Sequence, residues 1–558
     1  MAKRMEIDLS DGRLMGIATD LIENHQYIEG LKMLNKTCDL WGNDEDSYIL
    51  YAEIYDDMGL YDKSVNSWFR FIDCAGETPS AELTECYEGL AVCFMNLGDE
   101  RFSAYYYNKM LSGMPDGEFI PQFEREDILN DFMSLHEENP LKFVYPPRLA
   151  DCTDILKAGF THMKSGEYEA AEQEFEKVAE GNPKYLSSRN YIAMCKLITD
   201  RTEDAAKECE SILEKQPDNV QALTTLAAVM TEEGRHGEAK DFAKRLLSLN
   251  VSEPEDIYKI ATVCCENKMH AEAYDTFCKL PEDFDYDLNV LYFKGISAFN
   301  CGRDNDSVSA FDKLLTVHPE AVTARYYSSY VREMISSGER VELSYFYRLP
   351  TEVRESSLKV LAAYAHLPDA SAKKLAKSVD LTMCVRWCFD EIEAQGGELQ
   401  ALACRVAVKA GMDELVREYL LNAFLSDKLK LAILHDLAER NANDVFGVVI
   451  CNVYKRVVTQ PLQTGSFKRK LFIRAYAKLF SSFAILDADF PVRFAEAAEE
   501  LYVKLETQNR LGEVKSADVL SAAVYVASGV QAAEIEEKDM FDYFNVKKAQ
   551  VYKLLNGE

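Results

Sequence analysis

Positive charge is in short supply in this chain. Its 558 residues hold 62 Lys and Arg against 94 Asp and Glu, a formal net charge of −32. Phosphate contacts need basic groups, so this balance excludes a chain that binds nucleic acid over its whole surface. Long apolar runs are missing too, since no stretch reaches the ~18 residues that a membrane-spanning helix requires. The N-terminus, MAKRMEIDLSDGRLMGIATDL, has basic residues but no apolar h-region. The expectation is a cytoplasmic protein with no membrane partner.

Metal and catalytic patterns are equally scarce. The 15 cysteines are scattered, none in a C-x-x-C pair; Cys264 adjoins Cys265, and Cys384 lies one helical turn from Cys388. The 8 histidines do not cluster with them, so no metal is expected. Such thiols read as small buried hydrophobes in a reducing compartment. G-x-x-x-x-G-K-[ST], H-E-x-x-H, G-x-S-x-G and the dinucleotide fingerprint are all absent. Acidic pairs such as Glu499/Glu500 fit solvated helix faces. No cofactor and no catalytic residue is expected, and the chain reads as non-enzymatic.

What is present is an apolar share of 47% with 28% charged residues, the composition of a folded protein of several units. The charge is uneven. Residues 441–558 carry 15 basic and 15 acidic groups and residues 341–440 carry 13 and 15, so residues 1–340 hold 34 and 64. Two kinds of surface therefore share one molecule.

The acidic part contains a repeat. Ile155, Ala158, Gly159, His162, Gly166, Tyr168, Ala171, Phe175, Val178 and Pro183 define one unit, and equivalents recur with units starting at 152, 186, 220, 254 and 288, always 34 residues apart. Each position has a physical reason. Apolar residues at helical spacing bury a shared stripe, and small residues such as Ala193, Ala205, Ala227 and Ala239 let backbones approach. Gly166, Gly234 and Gly302 suit the turn between helices, while Pro183, Pro217 and Pro319 end the second helix.

This pattern resembles the tetratricopeptide repeat family. Residues 11–117 fit it more loosely, through Leu14, Ala18, Gly30, Tyr51, Ala52, Gly59, Trp68, Leu90, Ala91 and Gly98, and residues 152–334 fit it strongly. Between them, residues 118–151 fill one period without the small residues and read as a degenerate repeat forming a hinge. The resemblance implies an all-α right-handed superhelix whose first helices line a concave groove for a peptide or a partner's helix. The outward positions of the later units bear Tyr258, Asn289, Tyr292, Phe299, Asn300, Tyr326 and Tyr330, which are the candidate partner-binding residues. The earlier units bear Asp46, Glu53, Asp56, Asp57, Glu85 and Glu88, either a steering surface for a basic partner or a solvated face. The clamp of paired Lys and Asn that grips a chaperone's C-terminal carboxylate is not present, because those positions are Leu156, Phe160, Asn190, Met194, Thr224 and Ala228.

After Arg332 the repeat decays. Residues 340–440 read as a helical connector, with 413–442 weakly resembling a HEAT-like pair. Residues 445–486 have no acid but carry Lys455, Arg456, Lys468, Arg469, Lys470, Arg474 and Lys478. That stretch suits either an acidic or phosphate-bearing partner or the chain's own acidic repeats. The remainder of 441–558 reads as a compact helical domain. It ends in a helix, a tight turn at Asn545–Val546 and a second helix, resembling a helix-turn-helix within a cyclin-like repeat. On that resemblance Lys547, Lys548 and Gln550 would reach base edges and Lys553 a phosphate.

The expected function is a cytoplasmic scaffold or adaptor that holds a protein or peptide partner in the repeat groove. The alternatives are a regulator touching nucleic acid through its C-terminal helices and, less favoured, a non-catalytic subunit of an enzyme complex.

Overall fold

The computed structural model describes residues 11–113, 143–144, 148–149, 155–164, 166–178, 185–281, 284, 286–376, 381–391, 397–440, 444–450, 452–459, 471–476, 478–479, 490–530 and 537–557. Most of the expected hinge at 118–151, together with Lys468, Arg469 and Lys470, lies outside them.

The fold is all-α, built from antiparallel helix pairs. Asp11–Glu23 pairs with Tyr27–Trp41, Glu45–Asp57 with Tyr61–Ala75, and Ala81–Asn96 with Glu100–Gly113. In the second block Ile155–Lys164, Tyr185–Ile198, Val220–Glu232, Pro254–Glu266 and Leu288–Asn300 are first helices. Their partners are Tyr168–Phe175, Thr202–Lys215, His236–Leu247, His270–Phe277 and Asp304–Val317. Val322–Ser337 follows as a first helix without a second.

The repeat positions explain the pairing. A Cβ on Gly159 would lie 2.4 Å from the Phe175 ring, and one on Gly295 would lie 2.9 Å from the Phe311 ring. The large ring of the second helix therefore needs the bare backbone of the first. Ser307 Oγ donates to the Gly295 carbonyl at 2.7 Å, closing the same contact with a hydrogen bond. Turns between paired helices need a left-handed residue, supplied by Gly234 at φ 72° and Gly302 at φ 84°. Where the sequence has no glycine, Asp200 at φ 59° and Lys268 at φ 57° take that conformation instead.

The two repeat blocks meet in an order that serial stacking would not give. Helix Tyr27–Trp41 of the first pair packs against Asp304–Val317 of the last. Ile22, Leu31, Ile54, Tyr55 and Met58 share a core with Tyr286 and Val317. Asn35 Nδ2 donates to the Thr316 carbonyl at 3.2 Å, while Tyr51 OH donates to Asn35 Oδ1 at 2.7 Å. The N-terminal repeats thus return onto the end of the second block.

Beyond the repeats, helices Thr351–Ala365, Asp369–Ala376, Thr382–Asp390, Gly397–Ala410, Asp413–Leu421 and Asp427–Arg440 share one core. A β-hairpin, which the sequence reading missed, follows: β3 Val445–Ile450 pairs antiparallel with β4 Val453–Val458, after a two-residue pair β1 Phe143–Val144 and β2 Arg148–Leu149. The hairpin wedges between the connector and the N-terminal repeats. Phe446 and Val448 pack into the connector core, and Val449, Val453 and Tyr454 into that of the repeats. A separate core unites Leu471, Phe472, Ala475 and Leu479 with Phe490–Thr507, Ala517–Ser528, Glu537–Tyr543 and Lys548–Asn556.

Candidate functional site

The groove is the face presented by the first helices of the second block, and it has an occupied part and an open part. After Val322–Ser337 the chain leaves through Gly338 in the left-handed conformation, φ 74°. Residues 339–350 then run without helix or strand across the first helices. Leu343 and Leu349 are buried and Tyr345 and Tyr347 half-buried, whereas Glu342, Ser344, Phe346 and Arg348 face outward. That period of two is the signature of an extended strap with one face down.

Contacts to the strap come from first helices, from the turn and second helix at 268–270, and from the connector. Asn300 accepts from the Leu343 amide at 2.8 Å and donates to its carbonyl at 2.9 Å. Tyr292 OH donates to the Phe346 carbonyl at 3.1 Å, and Tyr327 OH to that of Arg348 at 3.0 Å. Glu342 pairs with Lys268 at 2.8 Å, and Tyr345 OH meets His270 Nδ1 at 2.8 Å. Burial lowers the His270 pKa, keeping the ring neutral against Tyr345, while Lys268 holds the Glu342 carboxyl below its usual range. Arg340 lies over the Phe299 ring, 5.3 Å from its centroid, and bonds the Phe299 carbonyl at 2.9 Å. At the far end the Leu349 amide donates to the buried Glu391, and Tyr347 OH donates to Asp390 at 2.8 Å.

The residues expected to line the groove therefore divide. Tyr292 and Phe299 are 0% and 1% exposed, and Asn300 spends its amide on Leu343. Asn289 is exposed, and Tyr258, Tyr326 and Tyr330 keep partial exposure. Tyr326 stacks on Tyr330 with centroids 6.2 Å apart, and burial pushes the Tyr258 hydroxyl up to about 12.

The open part adjoins the strap. A concavity of about 210 Å³ lies over helices Tyr185–Ile198, Val220–Glu232 and Pro254–Glu266. Met194, Leu197, Ile198, Thr224, Ala228 and Val263 give it an apolar floor, with Gln221, Lys259 and Glu266 at the margin. Burial raises the Glu266 carboxyl. Four residues before Met194, Asn190 is 8% exposed and its Oδ1 lacks a hydrogen-bond partner. The sequence reading tested Asn190, Met194, Thr224 and Ala228 only for a carboxylate clamp, and so passed over the floor.

The basic stretch and the C-terminal turn are arranged differently. Tyr454 OH donates to Asp73 at 2.8 Å and Tyr106 OH to the Asn452 carbonyl at 2.6 Å, so this end of the stretch docks on the chain's own repeats. Burial and the neighbouring Lys109 lower the Lys455 pKa. Asn545, at φ 51°, makes the turn between Glu537–Tyr543 and Lys548–Asn556. Gln550 accepts from the Lys547 amide at 3.2 Å and Lys548 pairs with Glu537 at 3.1 Å, whereas Lys547 and Lys553 are exposed. Among the described residues, no group of three or more His, Cys, Asp or Glu is placed to hold a metal, and no helix is long and apolar enough to cross a membrane.

The fold defines an all-α helical-repeat protein. Residues 162–228 match the tetratricopeptide repeat family model, so the second block carries tetratricopeptide repeats there. Among solved structures, yeast Tom70 is 14% identical, covering 95% of this chain and 98% of its own, with a TM-score of 0.28. The human IFIT1 dimer with m7Gppp-AAAA is 13% identical, covering 99% and 96%, with a TM-score of 0.28. A thermophilic repeat protein of Thermus thermophilus, TTC0263, is 14% identical over 32% of this chain and 98% of its own, with a TM-score of 0.26. No curated protein sequence matches the chain.

Proposed function

We propose that this protein is a non-catalytic scaffold that holds a partner's peptide in the open groove between Tyr185–Ile198 and Pro254–Glu266. The observation that carries this is the roughly 210 Å³ concavity with a floor of Met194, Leu197, Thr224, Ala228 and Val263. An apolar floor takes a peptide's aliphatic side chains, and polar margins fix its backbone. Lys259 and Glu266 stand at one margin and suit a segment of mixed charge rather than a polyanion. A reducing, cytoplasmic setting fits thiols that are free at every described cysteine.

The test is Ala228→Arg, which fills the floor from a helix face already open to solvent. Partners captured by the native chain are identified, and the affinity of each interacting peptide is measured by calorimetry with both proteins. At least a tenfold loss is expected, with the thermal midpoint unchanged. Unchanged affinity for every partner would overturn the reading.

A further inference from the structure

We infer that residues 340–348 are an internal ligand of the groove, a tethered peptide that a partner's extended segment carrying an acidic residue, then an aliphatic one, and a tyrosine two residues on displaces. This rests on the reading of the groove as a peptide site.

The strap is held as a bound peptide is held. Asn300 takes both backbone groups of one residue, Leu343, and Tyr292 and Tyr327 take two further carbonyls. Side chains then enter sites set by chemistry. Leu343 is 7% exposed within the core of Leu291, Tyr292, Ile296 and Phe299. Glu342 faces Lys268, and the Tyr345 hydroxyl faces His270. Backbone capture gives affinity, and the alternate side chains give selection. The sites select a carboxylate at Glu342, an aliphatic chain at Leu343 and a phenol at Tyr345, with the outward-facing Ser344 between the last two.

The strap is also loosely covered. Phe346 is 78% exposed and Val341 54% exposed, so two of its bulky side chains add nothing to its hold. An extended segment with no helix or strand ladder of its own opens locally at lower cost than the helices beneath it. Tethering offsets that weakness, because a short linker gives an effective concentration in the millimolar range. A free peptide of the same chemistry is excluded until it brings extra contacts, and the open concavity beside helix Pro254–Glu266 supplies them. A partner must therefore fill the open groove and replace the strap together.

The experiment uses the full chain and a fluorescein-labelled peptide of sequence RVELSYFYR as probe. Leu343→Asp removes the aliphatic anchor of the strap while leaving the groove intact. Anisotropy is expected to show at least tenfold tighter probe binding to Leu343→Asp than to the native chain. Adding Asn300→Ala should abolish the gain. Hydrogen exchange of the native chain is expected to show amides of 340–348 exchanging at least tenfold faster than those of Leu288–Asn300. Lys268→Glu, at an exposed turn, should accelerate the strap further by repelling Glu342. No gain in probe affinity, or strap exchange that keeps pace with the helix beneath, would overturn the inference. Should Leu343→Asp fail to fold, the exchange measurements on the native and Lys268→Glu chains decide alone. Ala228→Arg should leave probe binding to Leu343→Asp unchanged, so failure of the open-groove reading is distinguishable from failure of the strap.

Discussion

Lys63 and Glu320 stand 257 residues apart in sequence and meet at 2.5 Å where the N-terminal repeats return onto the last repeat of the second block. Burial, the largest single influence, disfavours both charges, yet the partner's charge, the hydrogen bond between them and neighbouring charges together outweigh it, raising Lys63 and lowering Glu320 to about 2. His318 stands beside them, its Nε2 2.9 Å from the Tyr286 carbonyl and its pKa lowered chiefly by burial. The side chains retain 15% and 42% exposure, so the pair is worth less than a fully enclosed one. Lys63→Met should cost about 1–2 kcal/mol at pH 7. A depressed carboxylate contributes above its unfolded pKa and loses that contribution as pH falls through the folded one. The loss on substitution should therefore shrink as pH drops from about 4.5 toward 2. Urea unfolding of both proteins at pH 7 and pH 3 checks this, and an equal loss at both would contradict it.

Much of this architecture was legible in the sequence because the repeat is a packing rule. Gly159 against Phe175 and Gly295 against Phe311 are one contact written twice, so periodicity exposed both. The return of Tyr27–Trp41 onto Asp304–Val317 was not legible, since a contact across hundreds of residues leaves no local period. The hairpin 445–458 carried a signal, a β-branched run on each side of Asn452, but attention to its charge hid the strand pattern. The strap shows the same lesson at the site. Groove positions such as Asn300 were found by counting along the repeat, but what sits on them was not. The alternation of Leu343, Tyr345, Tyr347 and Leu349 was written in ELSYFYRLP, directly after the point where the helical period stops.

Glu53 and Glu85 face each other on the N-terminal repeats. Burial, then the charge of Glu85 and a hydrogen bond with it, raise Glu53 to about 7. A raised carboxyl takes up an extra proton on folding between its unfolded and folded pKa values, so stability falls as pH rises through about 4.5 to 7. Glu53→Gln removes that penalty. It should stabilise the protein by about 1 kcal/mol at pH 8, after allowance for solvent screening, and have little effect at pH 4. Thermal melts of the two proteins at both pH values test the sign, and stabilisation at pH 4 alone would refute it.

Three glycine-to-alanine substitutions should rank by the space beside them. A Cβ at Gly159 would meet Phe175 at 2.4 Å, one at Gly295 would meet Phe311 at 2.9 Å, and one at Gly16 would meet nothing within 4 Å. Gly159→Ala should cost about 1–3 kcal/mol through overpacking. Gly295→Ala should cost less, and Gly16→Ala should gain about 0.5–1 kcal/mol from helix propensity. Denaturation midpoints give the order directly, and a stabilising Gly159→Ala would show that Phe175 can turn aside without penalty.

Lys430 is fully buried, and its Nζ donates to the Val449 carbonyl at 2.6 Å, with Asp427 at 3.7 Å. Together with Phe446 and Val448 in the connector core, that side chain joins helix Asp427–Arg440 to strand β3, while Val449 packs into the N-terminal repeats. Lys430→Ala removes a donor from a buried carbonyl and leaves a cavity, a loss of about 2–4 kcal/mol. Lys430→Met keeps most of the stem and should cost no more than about half as much, because the apolar volume survives. Loss of the hairpin's seat should also loosen its docking, so amides of 445–450 should exchange faster in Lys430→Ala than in Lys430→Met. Equal losses for the two variants would place the whole effect in the ammonium's polar contacts and none in the buried stem.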